Sequence, residues 1–247
     1  MVPPGLGGLG RLALREGLYK CQYTIAGLVG RSVMYVQGGR MLGGNTAFAH
    51  IGTYETHDGV THTIIETRRH NPDPNYPSML GQDIGSIDVK GRIIDGRYHF
   101  EGTSPQMPGE IFRSQMWTIE SETTPVEGAV GAGGIANGLY SVHIRTLDGV
   151  DGGLTGVMLL HDGRILGGDA FFYYLGTYTS AAGRWKGEML NQEHTPSKGE
   201  VPVFGGHDVG IGFTGTCDEQ GGTLEATAFV GKRSVRLTAV LKLIRQA

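Results

Sequence analysis

The sequence GGRMLGGN, residues Gly38–Asn45, returns 124 positions later as DGRILGGD, residues Asp162–Asp169. The same spacing of 124 relates IGTY, residues Ile51–Tyr54, to LGTY, residues Leu175–Tyr178. Similar motifs in the same order at one spacing indicate an internal duplication. The chain is therefore predicted to hold two consecutive copies of one module.

Two further anchors set the limits of the copies. His70 and Pro72 return as His194 and Pro196 at the same spacing, while the GLY that opens the first copy returns at a spacing of 121. We therefore predict a flexible leader over 1–15, a first copy over 16–120, a linker over 121–136 and a second copy over 137–247. The linker is rich in Gly, Ala, Thr and Pro. Two long copies do not make a solenoid, so each is expected to be a domain of its own.

Alternation of apolar and polar residues predicts that the copies are made of β-strands. Tyr19, Cys21, Tyr23 and Ile25 share one face of the first strand, and polar residues occupy the other face. The last strand repeats this pattern over Ser234–Leu243. No segment shows a convincing apolar stripe of helical period, so the fold is predicted to be all-β.

Glycine-containing dipeptides between the strands predict tight hairpins. Examples are Asp58-Gly59, Asp95-Gly96 and Gly221-Gly222, which can supply the positive φ angles of two-residue loops. Seven or eight short strands joined by hairpins leave unpaired edges unless the sheet closes. We predict two tandem antiparallel up-and-down β-barrels of the calycin or lipocalin type, related by a pseudo-twofold repeat, with a β-sandwich as the alternative. An eight-stranded barrel is either filled by side chains or holds one small ligand.

Composition narrows the class of protein. A net charge of -3 gives no reason to expect nucleic acid or an anionic membrane as partner. No apolar stretch approaches the roughly 20 residues that span a bilayer, and the first ten residues do not resemble a secretory signal. The two cysteines, Cys21 and Cys217, lie at non-equivalent positions and are expected to be free thiols in a reducing compartment. The expected location is the cytoplasm.

Each copy resembles the GrlR-type negative regulators of bacterial type III secretion. The shared features are the opening Gly-Leu-Tyr strand, the Gly-Gly-Asn or Gly-Gly-Asp hairpin, a Gly-x-Tyr strand, and a strand that ends in His before a Pro-containing loop. Ser78–Asp83 (SMLGQD) follows that loop in the first copy, and Val203–Asp208 (VFGGHD) stands at its place in the second. The resemblance covers nearly all of both copies.

The resemblance implies a small calycin-type barrel with an apolar interior, whose family members pair as dimers. A tandem duplication would place both halves of such a pair in one chain as an intrachain pseudo-dimer, and further pairing of two chains stays open. The regulators also carry alternating acids in the hairpin after Gly-x-Tyr, where they contact an activator. The corresponding windows here, Thr56–Gly59 and Ser180–Gly183, hold one acid between them. That partner contact therefore does not carry over.

Few residues are candidates for a site. The repeated histidines His70 and His194 either close the turn after their strand or contact a ligand. The aromatic pair Tyr173 and Tyr174 follows two phenylalanines and is expected in the core, in a cavity wall or at a subunit contact. Tyr19 and Tyr140, the tyrosines of the opening strands, are candidates for the same ligand or partner.

No catalytic, cofactor-binding or metal-binding site is predicted. The leader matches a dinucleotide-binding glycine pattern over Gly5–Gly10, but no strand precedes it. The expected function is that of a non-enzymatic bacterial binding or regulatory protein whose barrels hold a small apolar ligand. The alternatives are a protein–protein interaction module that works through the barrel exterior, and an enzyme of unknown reaction.

Overall fold

The computed structural model describes residues 13–121, 128–146, 154–197, 204 and 208–247, and every regular element in these ranges is a β-strand. The strands of the first copy are β1 Gly17–Ile25, β2 Leu28–Gln37, β3 Arg40–Gly44, β4 Phe48–His57, β5 Val60–Arg69, β6 Ile84–Ile94, β7 Arg97–Thr103 and β8 Phe112–Ser121. A short strand follows, β9 Ala129–Val130. The strands of the second copy are β10 Gly138–Thr146, β11 Leu154–His161, β12 Arg164–Gly168, β13 Phe172–Ala181, β14 Arg184–Glu193, β15 Val209–Asp218, β16 Gly221–Val230 and β17 Arg233–Gln246.

The first copy is a closed barrel in which consecutive strands pair antiparallel. β1 pairs with both β2 and β8, which leaves no free edge. Period-two alternation sends the apolar face of each strand inward, so that Tyr19, Cys21, Met34 and Phe100 belong to one buried core. The predicted up-and-down barrel is confirmed.

The second copy repeats this barrel with strands β10–β17. β10 pairs with β11 and β17, and the pairing of β12 with β13 closes the ring. Part of the predicted linker also has regular structure, because β9 pairs parallel with β13 through Ala129 and Val130. Two tandem all-β barrels are therefore present, and the sandwich alternative is wrong. Residues 1–12 of the predicted leader and 122–127 of the predicted linker lie outside the described residues.

Most of the predicted tight turns are present, and one is displaced. Asp58-Gly59 has φ angles of 51° and 73°, and Asp95-Gly96 has 50° and 76°, as two-residue hairpin loops require. Gly221-Gly222, predicted to be a loop, instead begins β16. The loop lies two residues earlier because the Asp218 carboxylate accepts hydrogen bonds from the amides of Gln220 and Gly221 at 2.8 and 2.9 Å.

The two barrels pack against each other through equivalent outer surfaces. A buried apolar cluster joins residues of the first barrel to their counterparts in the second. The matched pairs are Leu18 with Leu139, Val33 with Val157, Tyr35 with Leu159 and Leu42 with Leu166. Contacts of this kind, in which one patch meets its own copy, are those of a twofold dimer interface.

The repeated glycines of the GGRMLGGN and DGRILGGD motifs allow this close approach. A Cβ on Gly44 would lie 2.9 Å from Cγ1 of Val157 and would also clash with the carbonyl oxygen of Phe48. The reciprocal contact holds for Gly168, where a Cβ would lie 3.0 Å from Cγ1 of Val33. The motif that marks the duplication therefore lies where the two barrels meet.

We expect Gly44→Ala to lower the free energy of unfolding by about 2 kcal/mol, because the added methyl overpacks both the sheet and the barrel–barrel contact. Urea unfolding followed by circular dichroism measures this. Gly212→Ala is the control, since a Cβ there meets no atom within 4 Å, and its stability is expected to stay within about 0.5 kcal/mol of the parent. Equal effects of the two changes would contradict the packing argument.

Candidate functional site

A cavity of about 830 Å³ extends from the open end of the first barrel into the interior of the second. The first barrel contributes the end of β1, the start of β2 and the loop between β5 and β6. The second contributes inward side chains of β10, β11, β13–β17 and Phe204. Most lining side chains are apolar, and polar side chains from both barrels lie among them.

Smaller side chains open the second barrel to this cavity. The strand pairings align three aromatic residues of the first barrel with aliphatic residues of the second: Tyr23 with Ile144, Phe112 with Leu237, and Phe100 with Leu224. In the first barrel, the rings of Tyr23 and Phe112 stack with their centroids 5.7 Å apart and occupy the space. The aliphatic replacements leave that volume empty in the second barrel.

The rim of the cavity in the first barrel is exposed and apolar. Leu28 and Val29, at the start of β2, are 49% and 53% exposed, and Tyr76, in the loop between β5 and β6, is 37% exposed. All three line the cavity. An apolar molecule in solution therefore meets an apolar surface before it reaches the buried part of the site.

A short chain of polar side chains crosses the wall in the first barrel. The hydroxyl of Tyr23 lies 3.4 Å from Nε2 of His50 and accepts a hydrogen bond from Nδ2 of Asn45 at 3.0 Å. Burial, together with nearby His70, lowers the pKa of His50 to about 4. His50 is therefore a neutral hydrogen-bonding group at neutral pH.

Asp169 takes the place of Asn45 in the second barrel. Oδ1 of Asn45 accepts hydrogen bonds from the amides of Ala47 and Phe48, and so caps its hairpin. Oδ1 of Asp169 does the same with the amides of Phe171 and Phe172. Nδ2 of Asn45 also donates to the carbonyl of Arg31, whereas an ionised Asp169 has no proton to donate. Burial raises the pKa of Asp169 to about 6, although the two backbone amides lower it.

We expect Asp169→Asn to stabilise the protein by about 1–2 kcal/mol above pH 7. This is less than the full shift in the pKa of Asp169 would give, because the side chain is half-buried and water partly screens its charge. The folded-state pKa is raised, so the stability that Asp169 contributes is complete below its ordinary pKa and is lost as the pH rises through about 6. The gain should therefore vanish near pH 4. Urea unfolding across this range measures it, with Asp95→Asn at an exposed turn as the control. A gain independent of pH would contradict the assignment.

Of the predicted candidates, Tyr174 alone lines the cavity. It is buried and stands where the first barrel has His50. Its neighbour Tyr173 points to the other side of the strand, where it packs on the cluster between the barrels and donates from its hydroxyl to Oε1 of Gln192 at 2.9 Å.

His70 and His194 hold the hairpin loops of their own barrels and are not among the residues that line the cavity. Nε2 of His70 lies 3.0 Å from the carbonyl oxygen of Asn45, and Nε2 of His194 lies 3.4 Å from that of Asp169. Their backbone amides donate to Ala47 and Phe171 at 2.9 and 2.8 Å. The geometry of both histidines is that of the turn-closing alternative; contact with a ligand stays a prediction.

Tyr19 and Tyr140 lie at the ends of the barrels away from the cavity. Their hydroxyls donate to the carbonyls of Arg15 and Ala136 at 2.6 and 2.7 Å. The preceding residues Leu14 and Ile135 are buried in the respective cores. The short segments before β1 and β10 therefore plug the barrels in the same way, and residues 13–15 belong to the folded unit.

Sequence reasoning missed the ionisable side chains of the wall other than tyrosines, namely Arg31, His50 and Asp169. The repeat held a signal, because each of these residues differs in polarity or charge from its counterpart in the other copy. The counterparts are Thr155, Tyr174 and Asn45 respectively. Elsewhere the described residues offer little for catalysis by metals: no group of three His, Cys, Asp or Glu side chains among them is placed to hold an ion. Both cysteines are free, and burial raises the pKa of Cys21 to about 12.

Comparison with known proteins adds little to this description. No protein-family model matches the chain, and no curated protein matches it. One similar solved structure is a "putative outer membrane protein" from Bacteroides fragilis NCTC 9343, 11% identical, over 92% of this chain and 96% of that one, with a TM-score of 0.24. At that score the likeness supports no inference. Within the described part of this chain, no helix is long and apolar enough to cross a membrane.

Proposed function

We propose that this protein is a non-enzymatic binding protein that holds one small apolar ligand in the cavity shared by its two barrels. The cavity itself carries the proposal. Its volume of about 830 Å³ lies within the range of roughly 300–1,000 Å³ typical of small-molecule sites, and its lining is mainly apolar.

The energetics of packing support a ligand. Protein interiors hold few voids larger than a water molecule, and each cubic ångström of empty apolar cavity costs on the order of 24 cal/mol. The first barrel shows that this fold can fill the same space with the stacked rings of Tyr23 and Phe112. The second barrel leaves the equivalent space open. Ligand binding gives a reason for that difference.

The resemblance to GrlR-type regulators extends the proposal to regulation in the cytoplasm. A ligand held between two packed barrels is in a position to bias how they pack, and so to alter the surface that a protein partner meets. The run of alternating acids that the regulators use for their activator is absent here. The proposed partner is therefore a different protein.

We expect the neutral apolar dye Nile red to bind at least about tenfold more weakly, or about 1.4 kcal/mol, when the second barrel is given the aromatic residues of the first. The variant is Ile144→Tyr, Leu224→Phe, Leu237→Phe. Fluorescence titration measures the dissociation constant, and native mass spectrometry of the gently purified parent chain looks for a bound ligand.

Val240→Phe is the control. Val240 is 41% exposed on the outer face of β17, so the substitution adds an aromatic ring away from the cavity. Circular dichroism checks that both variants remain folded. Unchanged dye affinity in the folded triple variant would show that the dye binds elsewhere and would contradict the proposal.

A further inference from the structure

Arg31 breaks the symmetry between the two barrels at the cavity wall. It lies on β2, and the repeat aligns it with Thr155 on β11. The hydroxyl of Thr155 makes two hydrogen bonds to the first barrel: it accepts from Nδ2 of Asn71 at 2.8 Å and donates to the carbonyl of Thr46. Among the described residues, the side chain of Arg31 makes no equivalent hydrogen bond across the interface. Instead, its guanidinium lies over the ring of Phe171, 6.0 Å from the centroid.

The charge of Arg31 is poorly compensated. Its Nε atom is buried and has no hydrogen-bond partner among the described residues. Nor does any described carboxylate form an ion pair with it within 4.0 Å. A guanidinium placed in a largely apolar wall is costly unless an anion and hydrogen-bond acceptors meet it. Arg31 is also the one Lys or Arg on the cavity wall as described.

The protein itself offers one acid on that wall, Asp169, and among the described residues no ion pair within 4.0 Å joins it to Arg31. Oδ1 of Asp169 already accepts two backbone hydrogen bonds, at 2.7 and 2.8 Å from the amides of Phe171 and Phe172. Beyond Arg31, the lining of the second barrel is mainly apolar, through residues such as Met158, Met189 and Leu237. The site therefore combines a cation that no described carboxylate pairs with, at the junction of the barrels, with a mainly apolar chamber.

We infer that the ligand is a single-chain amphiphile with an anionic head group, a long-chain carboxylate, whose head binds the guanidinium of Arg31 and whose chain fills the second barrel. This inference rests on the proposed function, since it specifies the ligand of the same cavity. A carboxylate matches the planar fork of a guanidinium with two parallel hydrogen bonds.

A head-group series tests the inference on the intact chain. Isothermal titration near pH 7.5 compares dodecanoate, dodecanol and dodecyltrimethylammonium, which share one chain and differ in charge. Dodecanoate is expected to bind at least tenfold more tightly than dodecanol, and dodecyltrimethylammonium more weakly than both. Arg31→Met, which retains an apolar stem, should remove the preference for dodecanoate over dodecanol. Arg68→Met, at an exposed arginine of β5, is the matched control.

The outcomes separate the two proposals. Equal affinities of the parent protein for dodecanoate and dodecanol would overturn the inference about Arg31 and leave the apolar site intact. The same holds if dodecyltrimethylammonium binds most tightly. If neither these amphiphiles nor Nile red binds, the proposed function itself fails. Because the series is measured on the parent protein, the test does not depend on the folding of Arg31→Met.

Discussion

Replacing Trp185 by threonine is expected to lower the free energy of unfolding by about 3–5 kcal/mol, the range for removing a large aromatic side chain from a core. Trp185 is 2% exposed. Its ring packs edge-on against Tyr178, with the centroids 6.1 Å apart, and at a tilt against Phe213, with the centroids 4.7 Å apart. Its Nε1 donates to the carbonyl of Thr223 at 2.9 Å. Threonine would leave a cavity at the plugged end of the second barrel.

The first barrel shows how the loss can be compensated. Trp185 aligns with Thr61, and Gly222 aligns with Tyr98, so the two barrels place their large side chain on different strands. A Cβ on Gly222 would lie 3.4 Å from Nε1 of Trp185, so the two positions share one volume. We expect Gly222→Tyr to recover part of the stability in the Trp185→Thr background and to destabilise the parent.

A double-mutant cycle by urea unfolding measures this coupling, which should be favourable by at least about 1 kcal/mol. Recovery should be partial, because a Cβ on Gly222 would also approach the carbonyl oxygen of Thr216 at 2.9 Å. Trp117→Thr is the control, since Trp117 is half-buried on the outer face of β8 beside Lys20 and Arg97. Additive effects of the two second-barrel changes would show that they do not share a volume.

The exchange between Trp185 and Gly222 explains what the sequence could and could not predict. Strand alternation and repeated turn residues depend on local rules, so they predicted two closed barrels correctly. The positions of large and small side chains inside a barrel depend on register across several strands. That register is hidden where the copies diverge, as they do over β6–β8 and β15–β17. The cavity arises from such differences, and the sequence therefore did not reveal it.

The same reason separates the candidate that lines the cavity from the other candidates. Tyr174 was a candidate because of its aromatic surroundings, and it lines the cavity. His70 and His194 were candidates because they repeat, but repetition marks what both copies need, which here includes the hydrogen bonds that hold their hairpins. A binding site used once per chain is built from positions that differ between the copies. Arg31 and His50 are such positions, opposite Thr155 and Tyr174.

Acid is expected to destabilise the protein strongly through its buried histidines. Burial lowers the pKa of His50 from 6.5 to about 4, and burial does the same for His194, with Lys20 and Arg31 nearby. The fold favours the neutral imidazole, so the stability that each histidine contributes is complete above its unfolded-state pKa and is lost as the pH falls through about 4. For the well-buried His50 this amounts to about 3 kcal/mol, and for the half-buried His194 to somewhat less.

Variants separate the contribution of His50 from that of Asp169, because protonation of Asp169 has the opposite effect and stabilises the folded protein. Between about pH 7 and pH 4, urea unfolding should show His50→Gln losing about 3 kcal/mol less stability than the parent, because glutamine stays neutral. His57→Gln, at a histidine whose side chain is 81% exposed, should follow the parent profile. Parallel profiles for His50→Gln and the parent would mean that His50 accepts a proton without opening the fold. The hydroxyl of Tyr23 would then have to turn a lone pair toward the imidazolium and direct its proton elsewhere, as toward the carbonyl oxygen of Arg31 at 3.4 Å.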